Sequence, residues 1–216
     1  MPLKYSHILW DWNGTLLNDS WLCVEVLNIL LEEINKPPLN LERYRSKFSF
    51  PVIDFYKYLQ FETDPKKFEL ISNKFINQYE ERWLKECTLH AEVEDTLLKI
   101  SDIGISQSIL SAAHSSALEI GVSHFKIQNF FDRIIGTNNI YAEGKIENAK
   151  KWMKESMLKP EEILLIGDTS YDYEVAKAIG ANCALIPNGH CSLERLRHLN
   201  AELVQNAPGI LNLLKS

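Results

Sequence analysis

Positive charge is scarce in this chain. Lys and Arg number 23 against 29 Asp and Glu, a net charge of -6. Such a balance lacks the basic footprint of a nucleic-acid-binding protein, so no nucleic-acid partner is expected. An anionic ligand would have to be drawn in by a local positive site. Cysteine is scarce too. The four residues Cys23, Cys87, Cys183 and Cys191 form no CxxC pair, which removes zinc-type spacing. They are also too few for the disulfide framework of a small secreted domain, and free thiols in a reducing compartment are expected. No apolar run approaches the roughly 20 residues of a membrane span. The opening residues, Met1 to His7, show no signal-peptide pattern. A cytoplasmic protein with no membrane partner is the resulting expectation. Internal repeats and low-complexity segments are absent, and oligomeric state leaves no mark in the sequence.

What is present is an ordinary globular composition, 45% hydrophobic and 24% charged over 216 residues, enough for one domain with an insert or two small domains. Short apolar runs recur at His7 to Trp10, Ile105 to Leu110, Arg133 to Ile135, Ile163 to Ile166 and Cys183 to Ile186, with Leu203-Val204 as a possible edge strand. Helical patterns separate them at Val93 to Ile100, Ser115 to Ile120, Ile146 to Met153 and Tyr171 to Ile179. Strands alternating with helices predict an α/β fold, a Rossmann-like parallel sheet with helices on both faces. Residues 18–88 break the rhythm and hold no convincing strand. Asn18 to Ile34, Pro51 to Leu59 and Asp64 to Glu86 read as helices, the last with Asp64-Pro65 as cap and first turn. The expected division is a core of residues 1–17 and 89–216, with an all-helical cap at 18–88 inserted after the first strand.

The predicted strands run out at Asp11, at Ser111, before the loop to Lys145, and at Gly167-Asp168-Thr169, with Asp172 four residues beyond Asp168. A parallel sheet puts all these carboxyl ends on one edge, where open α/β sheets bind ligands. That edge gathers three carboxylates, a hydroxyl, an ammonium and glycine turns. Phosphoryl transfer needs this inventory. Hard oxygen ligands from Asp11 and Asp168 suit magnesium, and Asp172, one helical turn on, can support the ion. Lys145 and Ser111 can hold phosphate oxygens. A carboxylate nucleophile at Asp11 would form an aspartyl-phosphate. Gly14 allows a tight turn that brings backbone N–H groups to phosphate, with Thr15 and Ala112 as further candidate contacts. Taken singly, Asp11 before Asn13-Gly14 is turn chemistry, Asp168 a helix cap and Asp172 a first-turn acid. Arg43, Arg45 and Lys47 are either a solvated face of the insert or, with Arg45 the candidate, a reach toward the distal group of a substrate. His114 and His190 are surface residues or substrate contacts.

The run Asp11-Trp12-Asn13-Gly14-Thr15-Leu16, with Ser111, Glu143-Gly144-Lys145 and Gly167-Asp168-Thr169-Ser170-Tyr171-Asp172, resembles in order and spacing the four motifs of the haloacid dehalogenase superfamily, in its phosphoglycolate phosphatase-like branch with a helical cap. Asn188-Gly189-His190 resembles a loop common after the fifth strand. The resemblance spans essentially the whole chain. It implies a magnesium-dependent phosphatase acting on a small phosphorylated metabolite, with Asp11 as nucleophile. It also implies metal held by Asp11, the Asn13 backbone carbonyl and Asp168, and a mobile cap that closes over the pocket. One position departs. Most phosphatases of the family carry an Asp two residues after the nucleophile, as general acid and base; here it is Asn13. An amide cannot take that part, which is worth roughly 10²–10⁴-fold. The departure leaves open an enzyme for good leaving groups, a different proton carrier, or a weakly active or non-catalytic phosphate-binding protein. A phosphomutase would also need a proton carrier at position 13, and a dehalogenase would have no use for Asp168 and Asp172.

Overall fold

A central parallel strand is covered on both faces, so its sequence reads as a continuous buried run instead of an alternation. In the computed structural model, which describes residues 3–139, 141, 142, 144–187 and 189–215, that strand is β1, His7–Trp10, buried at every position. A two-residue strand β2 (Leu17–Asn18) follows. Next come four helices, α1 (Ser20–Glu33), α2 (Leu41–Lys47), α3 (Val52–Tyr58) and α4 (Pro65–Glu86). Strand β3 (Thr88–Leu89) pairs antiparallel with β2. The chain then alternates through α5 (Val93–Asp102), β4 (Ser106–His114), α6 (Ser115–His124), β5 (Arg133–Thr137), α7 (Lys145–Ser156), β6 (Ile163–Gly167), α8 (Ser170–Ile179), β7 (Asn182–Leu185), the short α9 (Leu193–Leu196) and β8 (Glu202–Leu203). Six strands form one sheet in the order β5-β4-β1-β6-β7-β8, every pairing parallel. This is the α/β Rossmann-like fold with a helical cap that the alternation predicts.

The period of two decides which face each strand residue serves. Ile8, Trp10, Ile109, Leu164 and Ile166 pack with Leu97, Leu118 and Val122 of α5 and α6. Leu9, Leu110 and Leu165 pack on the other face with Ala149, Trp152, Val175 and Ile179 of α7 and α8. The cap has a third cluster, in which Leu27, Leu30 and Leu31 of α1 meet Tyr44, Phe55, Tyr56 and Phe68. Trp83, near the end of α4, belongs to the sheet's own core instead, and its ring lies against Gly121 of α6.

Three features differ from the sequence expectation. Helix α2 was not anticipated; it is one short polar element capped by Asn40, whose side chain accepts from the Arg43 N–H. The β2–β3 ribbon puts a strand pair at the two ends of a segment expected to be all helix. Strand β4 runs past Ser111 to His114, with a shift of register between Leu110 and His114. Thr137 Oγ1 holds this irregular stretch to β5 by donating to the carbonyls of Ala112 (3.1 Å) and Ala113 (3.3 Å).

At the far end of β1, His7 is buried between Ser106 and Ser108 (2.5 and 3.1 Å) and Trp152. Burial pushes its imidazole down to about 4. The unfolded chain takes up that proton near 6.5. His7 therefore favours the fold fully above about pH 6.5, and the contribution is lost as pH falls toward 4, up to about 3 kcal/mol. The His7→Gln protein is expected to lose less stability than the parent between pH 7 and 4.5 in urea unfolding. Equal losses would contradict this origin.

Candidate active site

Where β1 ends, the backbone N–H of Asp11 still bonds the Ile166 carbonyl (2.8 Å), so Asp11 leaves the sheet edge in register with β6. Asp168 follows β6 directly. Lys145 opens α7, and Asp172 sits in the first turn of α8. All four side chains are buried. Lys145 Nζ is hydrogen-bonded to Asp11 Oδ1 and lies 2.6 Å from Asp172 Oδ1. Oxygens of Asp11, Asp168 and Asp172 all come within 4.8 Å of one another. Thr15 Oγ1 lies between two of them, 3.3 Å from Asp11 Oδ2 and 3.1 Å from Asp168 Oδ1. The Thr15 hydroxyl thus serves the carboxylates.

Asp11 and Asp172 share one ammonium with Asp168 close by, and the proton affinities of Asp11, Asp168 and Lys145 reflect the crowding. Burial pushes the Asp11 carboxyl up to about 6 against the attraction of Lys145, with Asp172 adding repulsion. Burial pushes Asp168 up to about 8, and repulsion from Asp11 and Asp172 works with it against His190. Burial disfavours the Lys145 cation, but Asp11 and Asp172 outweigh it and raise its pKa. Asp172 has little capacity left over. Its Oδ2 accepts from the N–H of Asp168 (3.2 Å), the N–H of Thr169 (3.0 Å) and Thr169 Oγ1 (2.7 Å), a capping box that fixes the start of α8.

Two glycines let the backbone close on this cluster. Gly14 has φ +75°, and a Cβ there would strike Asp168 and the His190 ring. A Cβ on Gly189 would strike Asp168 and the Gly14 carbonyl. The adjacent His190 N–H donates to Asp168 Oδ2. Asn188, which opens this expected loop, and Glu143, beside Gly144, lie outside the described residues.

Ser111 is buried beside the cluster and its Oγ accepts from the Ala113 N–H (3.0 Å), leaving its hydrogen to donate. Ser111 and Ala112 line a cavity that opens onto Asp11, Lys145, Asp168 and Asp172. Arg45 does not line it. Its guanidinium donates to the Gly189 carbonyl (2.9 Å) and Ser20 Oγ (3.3 Å), so it ties the cap to the core. Its neighbours Arg43 and Lys47 lie over the Tyr58 ring.

A second network escaped the sequence reading. Asp19 is fully buried. Its Oδ2 accepts from Tyr79 OH (2.7 Å) and Asn13 Nδ2 (2.8 Å), and its Oδ1 from the Gly14 N–H (2.9 Å). His190 Nε2 lies 3.2 Å from Oδ1, and His190 Nδ1 is 2.8 Å from Tyr44 OH. Burial opposes the charge on each member of the Asp19–His190 pair. Their mutual attraction wins, lowering Asp19 and raising His190 to about 9. Cap residues Tyr44 and Tyr79 are thereby tied to the turn after β1. Asn13 donates its amide hydrogens to Asp19 and Tyr79 (3.1 Å). Nothing in the sequence near Asp19 signals this, since it reads as the start of α1.

The sequence profile of the family described as haloacid dehalogenase-like hydrolase matches residues 8–186. Pyrophosphatase PpaX from Anoxybacillus flavithermus is 24% identical over 186 residues, covering 84% of this chain and 83% of that protein. Among solved structures, a haloacid dehalogenase-like family hydrolase from Streptococcus pneumoniae superposes with a TM-score of 0.82 at 19% identity, over 97% of this chain and 98% of the other. A protein described as a predicted phosphoglycolate phosphatase from Haemophilus somnus gives 0.79 at 17%, over the same shares. At these identities the structural likeness establishes the fold. No helix among the described residues is long and apolar enough to cross a membrane.

Proposed function

This chain belongs to the haloacid dehalogenase-like hydrolase family, and from that membership we propose that it is a magnesium-dependent phosphatase, hydrolysing a small phosphorylated metabolite through a phosphoaspartate at Asp11. The observation that carries the reading is the convergence of Asp11, Lys145, Asp168 and Asp172 at one sheet edge, with Ser111 beside them. Residues 1–17 and 89–216 would form the catalytic core, and 18–88 the cap. The four cysteines are free thiols, in keeping with a cytoplasmic location.

The donor set fits a divalent cation. Three buried carboxylates, with Asp19 beside them, face Lys145 and His190, which leaves surplus negative charge, and the oxygens of Asp11, Asp168 and Asp172 are hard donors. Asp11, Asp168 and the Asn13 carbonyl would hold the ion, with Asp172 positioning Lys145 and the first turn of α8. When bound, magnesium would neutralise charge between the nucleophile and the phosphate.

The chain's own groups account for the rest. Thr15 orients Asp11, which attacks phosphorus and displaces the leaving oxygen. Lys145 and the Ser111 hydroxyl hold phosphoryl oxygens as charge builds. Water then attacks the phosphoaspartate, releasing phosphate and restoring Asp11. Asn13 donates its amide to Asp19 and Tyr79 and carries no exchangeable acid proton. Leaving groups that depart without protonation are the ones this site would serve. A second reading, a phosphate-ligand-binding protein with little turnover, rests on the same Asn13.

Phosphate release from acetyl phosphate and p-nitrophenyl phosphate, measured with magnesium and again with EDTA, separates the two. Turnover is expected with the metal and is expected to fall to background in EDTA. Metal-independent release, or none from any substrate, would contradict the proposed function.

A further inference from the structure

The cavity that reaches Asp11 is about 470 Å³, ample for a drug-sized ligand, and extends up into the cap. Its upper wall is made of rings and aliphatic groups, among them Phe48, Phe55, Tyr56, Phe68, Phe75 and Ile76. Among the described lining residues, Lys145 is the one Lys or Arg, and it is bound to Asp11 and Asp172. The three basic residues of the cap that a distal anion might have used are engaged elsewhere. Arg45 is held by Gly189 and Ser20, and Arg43 and Lys47 lie over Tyr58. Glu80, an exposed acidic residue, stands at the edge of the cavity. His190 also lines the cavity, but its charge is already paired with Asp19, so a carboxylate or second phosphate placed there would lose its hydration without gaining a free cationic partner.

We propose that the substrate of this site is an aryl phosphate, a phosphate monoester whose leaving group is a bulky, uncharged aromatic hydroxyl held among the rings of the cap. This deepens the phosphatase reading above and rests on it. Aromatic rings meet one another favourably edge-to-face or offset-stacked at 4.5–7 Å between centroids, which a ring-lined wall can supply. The leaving-group chemistry points the same way. A phenol loses its proton near pH 10, so phenolate departs far more readily than an alkoxide and depends less on an acid at position 13. Asp11 forms the new bond to phosphorus, the P–O(aryl) bond breaks, and phenolate leaves with the electron pair to be protonated by solvent. The want of an uncommitted Lys or Arg among the described lining residues and the amide at Asn13 thus select the same class of compound from two directions.

The test compares kcat/KM for 2-naphthyl phosphate, phenyl phosphate, phosphoglycolate, pyrophosphate and acetyl phosphate, with magnesium, on the full chain. Phenol and naphthol are similar leaving groups, so the extra ring reports the cavity. 2-Naphthyl phosphate is expected to exceed phenyl phosphate by roughly tenfold, chiefly in KM. It is expected to exceed phosphoglycolate and pyrophosphate by roughly 10²-fold or more. Equal rates for the two aryl esters, or faster turnover of phosphoglycolate or pyrophosphate, would overturn the aryl assignment while leaving a phosphatase. No turnover of any compound, acetyl phosphate included, would overturn the phosphatase reading itself. Glu80 is exposed, so Glu80→Lys is compatible with folding. It is expected to raise the phosphoglycolate-to-naphthyl ratio roughly fivefold; an unchanged ratio would put the leaving group elsewhere and overturn the assignment.

Discussion

Asp11→Asn is expected to lower phosphate release by roughly 10⁴-fold or more while leaving the protein at least as heat-stable as its parent. The activity loss follows from the proposed chemistry. The amide oxygen of asparagine is a poor nucleophile, and the phosphoaspartate cannot form. Stability follows from the charge count. Asp11 shares Lys145 with Asp172 beside a third buried carboxylate, Asp168, and burial already pushes its carboxyl up to about 6. Removing one negative charge leaves Lys145 paired with Asp172 at 2.6 Å and relieves repulsion on Asp168. Asparagine keeps the shape: its amide oxygen can accept from Lys145, and its NH2 can donate to Thr15, whose hydroxyl then donates to Asp168. A malachite-green phosphate assay and a thermal melt in EDTA check the two halves. If the variant keeps more than about a tenth of the parent rate, the nucleophile lies elsewhere. A markedly lower melting temperature would mean that Asp11 is chiefly a structural anchor.

The opposite change at the same centre is expected to act in the opposite sense. Lys145→Met removes the ammonium between Asp11 and Asp172 and leaves three buried carboxylates with no lysine among them. Breaking a buried pair from one side costs about 3–5 kcal/mol, which for a chain of this size lowers the melting temperature by roughly 10 °C. Catalysis should also fall, by roughly 10²–10³-fold, because Lys145 would hold a phosphoryl oxygen. Magnesium gives this prediction its edge. If the carboxylates hold the ion, added magnesium binds the folded protein only and should restore part of the lost melting temperature in Lys145→Met. Identical melts with magnesium and with EDTA would remove Asp11 and Asp168 as metal ligands.

The sheet and its reactive edge were legible because their signals are local. Ile8 to Trp10 and Ile163 to Ile166 are unbroken apolar runs, the first followed at once by Asp11 and the second by Asp168 after one glycine, and Lys145 follows a glycine that starts a helix. What the sequence did not reveal depends on distance along the chain. Asp19 looks like the first residue of a helix, and its partners Tyr79 and His190 are 60 and 171 positions away. Arg45 has a charge suited to a substrate, yet its guanidinium is satisfied by a carbonyl 144 residues on. No propensity within α2 could disclose that. The ribbon of β2 and β3 is two residues wide, too short for any alternation to register. Ser111 fell inside β4 instead of at its end because the irregular stretch is stitched to Thr137, a contact between separate strands.

That small ribbon has a wider consequence. Leu17 pairs with Leu89 and Asn18 with Thr88, so the polypeptide leaves the sheet domain and returns to it through a single doorway. A segment whose two ends touch can be exchanged as a cassette. Any helical module with adjacent termini could be spliced between Asn18 and Thr88 without altering the order of the six strands. The recognition wall is thus separable, as a unit of inheritance or of engineering, from the machinery that breaks the bond. What a transplant must reproduce is modest: a plug like Trp83 over Gly121, a clasp like Arg45 on Gly189, and an aromatic hydroxyl for His190.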